Sequence, residues 1–405
     1  MNQFNTAVPW AQFFPCERVR VAFVIDAIDD WQAGTEQQMG KFLRVLQQGN
    51  FEPELYFLRP SLRLAAEDFP CPVYVADWRP QVKWYRPTVL VRLVKLFRSR
   101  RPHIVQTFFR DGTYYGTLAA RIAGVPVVVI SVRNAGHWKS GMDHVALKVA
   151  YRLADYWQCN SRSVSETLRA QHGLSVESIS VLPNAIDLEV FAPSTLSDRL
   201  AARQRLGLSA DVPVFVSVAN LRPVKDPATL VAAAGLVRRE LPNARFLLAG
   251  EGPLRQALES QVARLNLGDS VLFLGSVADV RPYLAAADIG LLTSRSEASS
   301  NSVLEYMAMG LPVVASDIPA NRDLINEVFF AWGDAKDLAA KIVELWNDPG
   351  MRKRLGEENL CRAGEYSFNA FVRQVQNYYA KLLAGRPVRR VRKSWARFPW
   401  LHLGQ

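Results

Sequence analysis

Short apolar runs alternate with amphipathic stretches along most of the chain. Residues 19–25 read VRVAFVI, which suits a strand buried on both faces of a parallel sheet. After a loop, residues 35–46 place apolar side chains at helical spacing, at Met39, Phe42, Leu43 and Leu46. A strand, a loop and a helix in this order predict the opening unit of a nucleotide-binding type of α/β domain.

The alternation continues through two halves of the chain. In the first half it predicts strands at residues 104–107, 125–131, 156–159 and 178–182. In the second half it predicts strands at residues 212–218, 246–249, 271–274, 289–292 and 312–315. Strands separated by helices favour parallel sheets that are covered on both faces. We therefore expect an α/β chain with two doubly wound, Rossmann-like domains that face a central cleft.

Length and composition agree with two domains. The chain has 405 residues, and single hydrophobic cores seldom grow past about 250–300 residues. Hydrophobic residues make up 49% and charged residues 21%, which is typical of soluble globular proteins and argues against a disordered chain. No apolar run reaches the ~18 residues of a membrane span, and residues 1–20 do not resemble a signal peptide.

Cysteine usage points to a reducing compartment. The four cysteines are far apart in sequence and form no CxxC pair: Cys16, Cys71, Cys159 and Cys361. We expect four reduced, buried thiols and a cytoplasmic protein.

Two glutamates eight residues apart carry the clearest chemical signal. Glu297 follows a predicted strand, and Glu305 lies two turns further on, in a helix predicted at residues 301–309. The unpaired N–H groups at the start of such a helix suit a diphosphate. A carboxylate accepts two hydrogen bonds at once, which suits the hydroxyls of a sugar or ribose. On spacing alone, a helix-start acid and an exposed helix glutamate remain an equally good explanation.

Five segments of the chain resemble the retaining glycosyltransferases of family 4, also called glycosyl transferases of group 1. They are ADIGLLTSRSEASSNSVLEYMAMGLPVVASDIPANRDLI, VSVANLRPVKDPATLVAA, LAGEGPLRQALE, VLFLGSVADVRPYLAAAD and VLPNAIDLEVF. The resemblance spans residues 19–384. It implies a hexosyltransferase-like enzyme of the GT-B fold. Its donor, a nucleotide-diphosphate sugar, would bind to the C-terminal domain, and its acceptor mainly to the N-terminal domain.

The resemblance also divides the chain. It implies an acceptor-binding domain at residues 1–190, a donor-binding domain at 191–365 and a helix at 366–384 that returns to the N-terminal domain. Residues 385–405 form a basic, aromatic tail. Arg110-Asp111-Gly112 and Arg133-Asn134 follow strands of the first domain, where acceptor contacts and buried structural pairing are equally good interpretations.

Position by position, the resemblance assigns roles in the donor site. Glu305 should bind the nucleotide ribose and Glu297 a hydroxyl of the donor sugar, with the amides of Ser299, Ser300 and Asn301 near sugar and phosphate. The chain departs from the family at this helix start, because Ala298 stands where glycine is usual and Ser300 where proline is usual.

Cations and glycines complete the expected donor site. Lys225 matches a family lysine that faces the diphosphate, where a cation stabilises the leaving group. The family arginine is replaced by Asn220, and Arg222 is a candidate substitute. Four further positions lie in loops expected to approach the donor through the backbone: Gly34, Gly250, Gly252 and Val277. A simple turn is an equally good explanation for the Gly250 loop.

We expect no cofactor and no bound metal. The two adjacent acids Asp29 and Asp30 lack the spaced partners of a metal site, and the chain has only five histidines. Fixed cations and a helix dipole would take the place of a metal. The resemblance implies a reaction in which the leaving phosphate oxygen takes the acceptor proton, so that no dedicated base is needed.

Positive charge is concentrated outside the expected site. The net charge is +11, with eight cations and no acid between Arg79 and Arg101, and a similar composition in the tail. Because aromatic and aliphatic residues lie between these cations, we expect an anionic membrane surface as a partner. A solvated basic face is the alternative. No nucleic-acid-binding motif accompanies the cations, so we expect no nucleic-acid partner.

The sequence leaves three functions open. The first is a transferase acting on a glycan or lipid-linked acceptor. The second is a sugar-nucleotide epimerase or hydrolase on the same fold. The third is a non-catalytic sugar-nucleotide-binding protein. This possibility stays open because the chain departs from the family pattern at Asn220 and Ala298 and has a single glycine at Gly34.

Overall fold

The computed structural model describes residues 18–29, 34–76, 87–133, 141–326 and 328–384. Cys16, Asp30, Asn134, the whole basic stretch before α2 (residues 79–86) and the whole tail lie outside these ranges. The predictions that concern them are therefore not addressed by the structure.

The N-terminal sheet has seven parallel strands in the order β3-β2-β1-β4-β5-β6-β7. Their bounds are β1 Val19–Ile25, β2 Phe51–Phe57, β3 Val73–Val75, β4 Ile104–Thr107, β5 Val127–Val132, β6 Tyr156–Cys159 and β7 Ile179–Val181. The connecting helices are α1 Gly34–Gln47, α2 Pro87–Arg100, α3 Arg110–Ala123, α4 Gly141–Leu153 and α5 Arg162–His172. The strand order reverses between β1 and β4, which is where open α/β sheets bind ligands.

The C-terminal sheet has six parallel strands in the order β10-β9-β8-β11-β12-β13. Their bounds are β8 Val214–Val218, β9 Arg245–Ala249, β10 Val271–Gly275, β11 Ile289–Leu292, β12 Val313–Ser316 and β13 Phe329–Phe330. Its helices are α6 Leu196–Arg205, α7 Pro227–Glu240, α8 Arg255–Arg264, α9 Arg281–Ala286, α10 Asn301–Ala308, α11 Pro319–Arg322, α12 Ala335–Asn347 and α13 Pro349–Ala363. The expected architecture of two doubly wound α/β sheets is confirmed.

The last helix, α14 Phe368–Ala384, packs on the N-terminal sheet. Phe371 meets Phe42 of α1 edge to face, with ring centroids 4.9 Å apart. The hydroxyl of Tyr379 donates a 2.6 Å hydrogen bond to Oε1 of Gln106 on β4. Where the chain returns, Ile186 N donates to Tyr366 O at 2.8 Å, so the two segments that connect the sheets run side by side.

Helix α2 places its apolar side chains inward. Leu93 and Phe97 are fully buried, and Leu90 and Leu96 pack against the same core. These apolar side chains of α2 therefore cover the sheet rather than face a lipid surface, and the membrane partner itself stays a prediction. Of the cysteines in the described ranges, Cys159 is buried as predicted, Cys71 is half-buried, and the prediction is wrong for Cys361, which is exposed. No helix in the described ranges is both long enough and apolar enough to cross a bilayer.

Candidate functional site

The site is built around the N-terminus of α10, at the carboxyl end of β11. Glu297 lies in the loop between them, and Ser300 caps the helix by accepting a hydrogen bond from Val303 N at 3.4 Å. The Ser300 hydroxyl is thus used within the helix, as is usual for an N-cap serine. Glu305 lies one turn into α10, so both glutamates are at the same end of the sheet.

Lys225 and Glu297 form an ion pair at the edge of the C-terminal sheet. The distance from Lys225 Nζ to Glu297 Oε1 is 2.5 Å, and the two side chains are 24% and 10% exposed. The hydroxyl of Ser294 donates a second hydrogen bond to Glu297 Oε1, at 2.6 Å. Thr293 holds the lysine loop, donating from its hydroxyl to Lys225 O at 2.8 Å. Two predicted catalytic residues are therefore in direct contact.

Glu305 has an unsatisfied carboxylate oxygen. Its Oε2 is shielded from solvent and has no hydrogen-bond partner among the described residues. Burial raises the pKa of Glu305 to about 7, and the charge of Lys41 on α1 opposes this rise. A shielded carboxylate oxygen without a partner is costly for the fold, which makes this oxygen a candidate for ligand binding.

Lys41 belongs to the N-terminal domain and is only 8% exposed. Its ammonium group donates a hydrogen bond to Ala185 O in the segment between the two domains. Burial lowers the pKa of Lys41 to about 8, while Glu305 and Asp187 act in the opposite direction. The charges of Lys41 and Glu305, which belong to opposite domains, thus each favour the ionised form of the other.

The side chain of Asn301, the first residue of α10, joins the two domains. Its Oδ1 accepts hydrogen bonds from Gln38 Nε2 at 3.2 Å and from Asn184 Nδ2 at 2.8 Å. Its Nδ2 donates to Gln37 Oε1 at 3.2 Å and to Gly34 O at 3.4 Å. The structure thereby brings Gly34 to α10, and a Cβ added at Gly34 would lie 3.5 Å from Asn301 Nδ2.

The first turn before α10 also packs against the N-terminal domain. Ala298 is buried in an apolar cluster with Trp157 and Cys159 of β6. Ser299 O accepts a hydrogen bond from Asn184 Nδ2 at 3.3 Å. The hydroxyl of Ser299 is buried, and the described residues offer it no hydrogen-bond partner. The alanine that replaces the usual glycine therefore contributes a methyl group to the domain interface.

Arg222 and Asn220 lie apart from the ion pair. Both are exposed, and Arg222 serves as the N-cap residue of a short 3-10 turn at Pro223–Lys225 without a side-chain cap bond. The turn places Lys225, but not Arg222, in contact with Glu297. The structure therefore brings together Lys225, Glu297 and the start of α10, and leaves Arg222 on the surface of the loop.

The glycines of the Gly250 loop approach the protein's own backbone. Gly250 has φ +144°, and a Cβ added there would lie 2.0 Å from Ala219 O. A Cβ at Gly252 would lie 2.4 Å from Leu221 O. The turn explanation therefore accounts for both positions, because the β9–α8 loop packs on the loop after β8. Val277 is half-buried in the loop after β10.

Sequence reasoning overlooked the polar face of α1. Gln38 is fully buried; it donates to Ala185 O at 3.1 Å and accepts from Ala185 N at 2.9 Å, besides its bond to Asn301. The sequence signal for this polar face is the helical spacing of three residues between apolar positions: Gln37, Gln38 and Lys41. Ordinary polar residues on a helix are usually solvent-facing, so the pattern alone did not single them out.

A second overlooked residue is Asp26, directly after β1 at the switch point. Its Oδ1 accepts a 3.0 Å hydrogen bond from Gly112 N at the start of α3. Burial, followed by the charge of Asp111, raises the pKa of Asp26 to about 7. Asp111 in turn pairs with Arg110 at 2.9 Å. This group lies at the ligand edge of the N-terminal sheet.

Arg133, after β5, is involved in structural pairing. It donates to Asn184 Oδ1 at 3.1 Å and lies over the ring of Phe42 at 5.4 Å. Burial lowers the pKa of Arg133 to about 10. Of the two earlier interpretations, its contacts favour the structural one. Among all the residues that the structure describes, no group of three or more His, Cys, Asp or Glu is placed to hold a metal ion.

Two family models match the chain. Glycosyltransferase family 4 matches residues 33–190, and glycosyl transferases group 1 matches residues 212–348. The first match covers most of the N-terminal sheet, and the second covers the C-terminal sheet with the Lys225, Glu297 and Glu305 positions.

Named relatives agree with these matches. An Escherichia coli UDP-Gal:α-D-GlcNAc-diphosphoundecaprenol α-1,3-galactosyltransferase is 30% identical over 251 residues, which is 59% of this chain and 64% of that protein. The Rhizobium meliloti lipopolysaccharide core biosynthesis glycosyltransferase LpsE is 30% identical over 244 residues, 58% of this chain and 66% of that protein. Each alignment therefore covers less than two thirds of the relative's own length.

A solved structure shares the arrangement of both sheets. The Anabaena protein HepE in complex with UDP superposes with a TM-score of 0.77 at 21% identity, covering 89% of this chain and 99% of that one. This likeness establishes the GT-B fold. The two family matches, which together span residues 33–190 and 212–348, show that the chain belongs to the family 4, group 1 glycosyltransferases.

Proposed function

We propose that the protein transfers a sugar from a nucleoside-diphosphate sugar to a hydroxyl group of a lipid-linked or polysaccharide acceptor. The observation that carries this proposal is the group formed by the Lys225–Glu297 pair, the α10 N-terminus and the unsatisfied Glu305 oxygen. A cation, free helix amides and a carboxylate match the diphosphate and the ribose of such a donor.

The ion pair suggests how donor binding rearranges the site. Without a donor, Lys225 is neutralised by Glu297. A diphosphate at the α10 N-terminus would compete for the ammonium group, and the freed Glu297 carboxylate would accept a hydrogen bond from a sugar hydroxyl. Lys225 would then stabilise the negative charge that grows on the leaving diphosphate. Glu297 would orient the sugar through this exchange.

We propose that the reaction retains the anomeric configuration and needs no metal. Lys225 and the α10 dipole would supply the positive charge that a metal supplies elsewhere. The leaving phosphate oxygen would accept the acceptor proton on the same face of the sugar. Lys225 and Ser294 both donate to Glu297 Oε1, and we assign this carboxylate to orienting the donor sugar rather than to acting as a general base.

A uridine nucleotide and a polyprenyl-diphosphate-linked acceptor are the first pair to test. The Anabaena structure contains UDP, and the name of the Escherichia coli relative specifies UDP-Gal and a diphosphoundecaprenol acceptor. We propose Asp26 and its neighbours as the acceptor side of the cleft, because they lie at the ligand edge of the N-terminal sheet.

Helix α2 supports a proposed place on the cytoplasmic face of an anionic membrane. Its outer side exposes Arg92, Lys95 and Arg98 beside Val91. Because its larger apolar residues are buried, attraction rather than insertion would hold the protein there. Charge reversal at Lys95 and Arg98, or deletion of residues 386–405, should weaken co-sedimentation with anionic vesicles and leave the neutral-vesicle control unchanged. Equal binding to both vesicle types would contradict this.

The transfer itself is tested with radiolabelled UDP-galactose, UDP-glucose and UDP-N-acetylglucosamine, each with a polyprenyl-diphosphate-linked monosaccharide. We expect acceptor-dependent product from one donor, with the anomeric configuration read by NMR. Lys225→Met and Glu297→Gln should lose product, whereas Lys336→Met, an exposed lysine on α12, should not.

The same assay separates the rival functions. Donor breakdown that is independent of any acceptor would indicate a hydrolase, and a changed sugar on intact nucleotide would indicate an epimerase. Tight nucleotide binding without turnover of any donor, across acceptors that include cellular lipid extracts, would indicate a binding protein. Any of these results would overturn the proposed transfer.

A further inference from the structure

Lys41 is a buried cation with no ion-pair partner among the described residues. It sits on α1, is 8% exposed, and directs one N–H to the carbonyl of Ala185. An ammonium group has three N–H donors, and burial of a charge without an anion in direct contact is costly. The polar residues one turn away on α1 are Gln37, Gln38 and Arg44, and none of them carries a negative charge that would neutralise Lys41.

The surrounding contacts fix Lys41 in place. Gln38, one turn earlier, holds Ala185 through both backbone groups and also binds Asn301. The same contacts therefore set the position of the Lys41 ammonium group and the position of the α10 N-terminus. Glu305, one turn along α10, is the acidic residue of the C-terminal domain that acts on Lys41.

We propose that Lys41 is a positioning residue of the donor site, which keeps the Glu305 carboxylate ionised and available to the donor nucleotide when the two domains meet. This inference rests on the proposed function. An ionised carboxylate can accept hydrogen bonds from two ribose hydroxyls, one at each oxygen. In a protonated carboxyl group one oxygen carries the proton and is a poorer acceptor. Because Lys41 comes from the other domain, donor affinity depends on domain contact.

The charges around the pair are few. Lys41 is the charged group that acts on Glu305, and its effect opposes the rise in the Glu305 pKa that burial causes. Lys41 itself is influenced by Glu305, by Asp187 of the connecting segment and by Arg44 on its own helix. Tyr306, next to Glu305, keeps its proton because burial raises its pKa. Burial disfavours the ionised form of Glu305, and Lys41 is the charged side chain that opposes this effect.

The test measures UDP binding by calorimetry between about pH 6 and pH 9, in the wild type and in Lys41→Met. Near pH 7 we expect Lys41→Met to bind UDP about fivefold more weakly, because a rise of roughly one unit in the Glu305 pKa from about 7 lowers its ionised fraction from about one half to about one tenth. The ratio of the two dissociation constants should fall towards one near pH 9, where Lys41 loses its charge and Glu305 is ionised in both proteins. Protonation of UDP is common to both and cancels in the ratio.

A purely structural role for Lys41 would give a different result. It would weaken UDP binding by the same factor at every pH, and that result would overturn the proposal. In a Glu305→Gln background, Lys41→Met should have no pH-dependent effect, because there is no carboxylate left to ionise. Lys336→Met removes an exposed lysine from the C-terminal domain and serves as the matched control.

Failure of the inference is distinguishable from failure of the proposed function. If the wild type turns over a donor but Lys41→Met shows an unchanged pH profile, the inference alone is wrong. If the wild type binds none of UDP, GDP and ADP, the donor site itself is wrong, and the inference falls with it. Circular dichroism and the unfolding temperature of each variant establish that the fold is kept.

Discussion

The Lys225–Glu297 pair allows a quantitative test of the proposed exchange with the donor. At an effective dielectric constant of about 20, two unit charges about 3 Å apart attract by roughly 5 kcal/mol. Desolvation of both groups offsets more than half of this, because the side chains are only 24% and 10% exposed. We therefore expect a net coupling energy of about 2 kcal/mol in the protein without donor.

The assay is a double-mutant cycle on the free energy of unfolding. Wild type, Lys225→Met, Glu297→Gln and the double variant are unfolded in urea, and the transition of the C-terminal domain is followed. Each single variant should lose about 2–3 kcal/mol, and the double variant clearly less than their sum, since it leaves no charge unpaired. Lys336→Met is the matched control for loss of a lysine outside any ion pair.

Repeating the cycle with saturating UDP tests the exchange directly. If the diphosphate takes over Lys225, the coupling energy should fall to less than half of its value without nucleotide. A coupling below about 0.5 kcal/mol without UDP would mean that the pair is a weak surface contact. A coupling that UDP leaves unchanged would refute the idea that Lys225 changes partner.

Four further predictions concern the donor site, its supports and the absence of a metal requirement. Glu305→Ala should weaken donor binding by about 1–3 kcal/mol in calorimetry. Glu305→Gln should raise the unfolding temperature of the donor-free protein at pH 8 but not near pH 4. The reason is that the raised pKa of the buried Glu305 carboxyl group lowers the stability of the folded protein as pH rises through about 7. An equal effect at both pH values would contradict the burial argument. Gly250→Ala should cost about 3 kcal/mol or more in urea unfolding, since its Cβ would meet Ala219 O, whereas Gly207→Ala, at φ +67° with open space, should cost about 1 kcal/mol. Activity should persist in excess EDTA, and a complete loss that Mg²⁺ restores would show that a metal is required.

Most of the fold could be predicted because buried parallel strands are visible as apolar runs. The predicted strand at residues 19–25 coincides with β1, and that at 289–292 with β11. Strand β2 was missed because its sequence FEPELYF contains two glutamates and a proline. Glu54 is buried there, and the guanidinium of Arg100 on α2 and the hydroxyl of Tyr56 both donate to it. A strand whose charge is neutralised by a distant helix lacks the apolar signature.

The candidate site was less accessible to sequence reasoning. The spacing of Glu297 and Glu305 correctly located the N-terminal end of α10. This was possible because both residues lie in one continuous segment, a loop followed by a helix. The domain interface gave no such signal, since Gln38 and Asn301 are 263 residues apart in sequence. From the sequence, Ala298 is only a departure from the glycine that is usual in the family. In the structure its methyl group packs in an apolar cluster of the other domain. Such contacts depend on how the two sheets meet, which a local pattern does not encode.

The chain passes between the two sheets twice, and the two passages are hydrogen-bonded to each other at Ile186 and Tyr366. Two adjacent connections allow the domains to rotate relative to each other about one axis. They restrain the domains from twisting about other axes and from moving apart. Chimeric enzymes that exchange the donor-binding half must therefore be cut at both passages. A single junction near residue 190 would graft a foreign α14 onto the N-terminal core, where Phe371 and Tyr379 fill specific places.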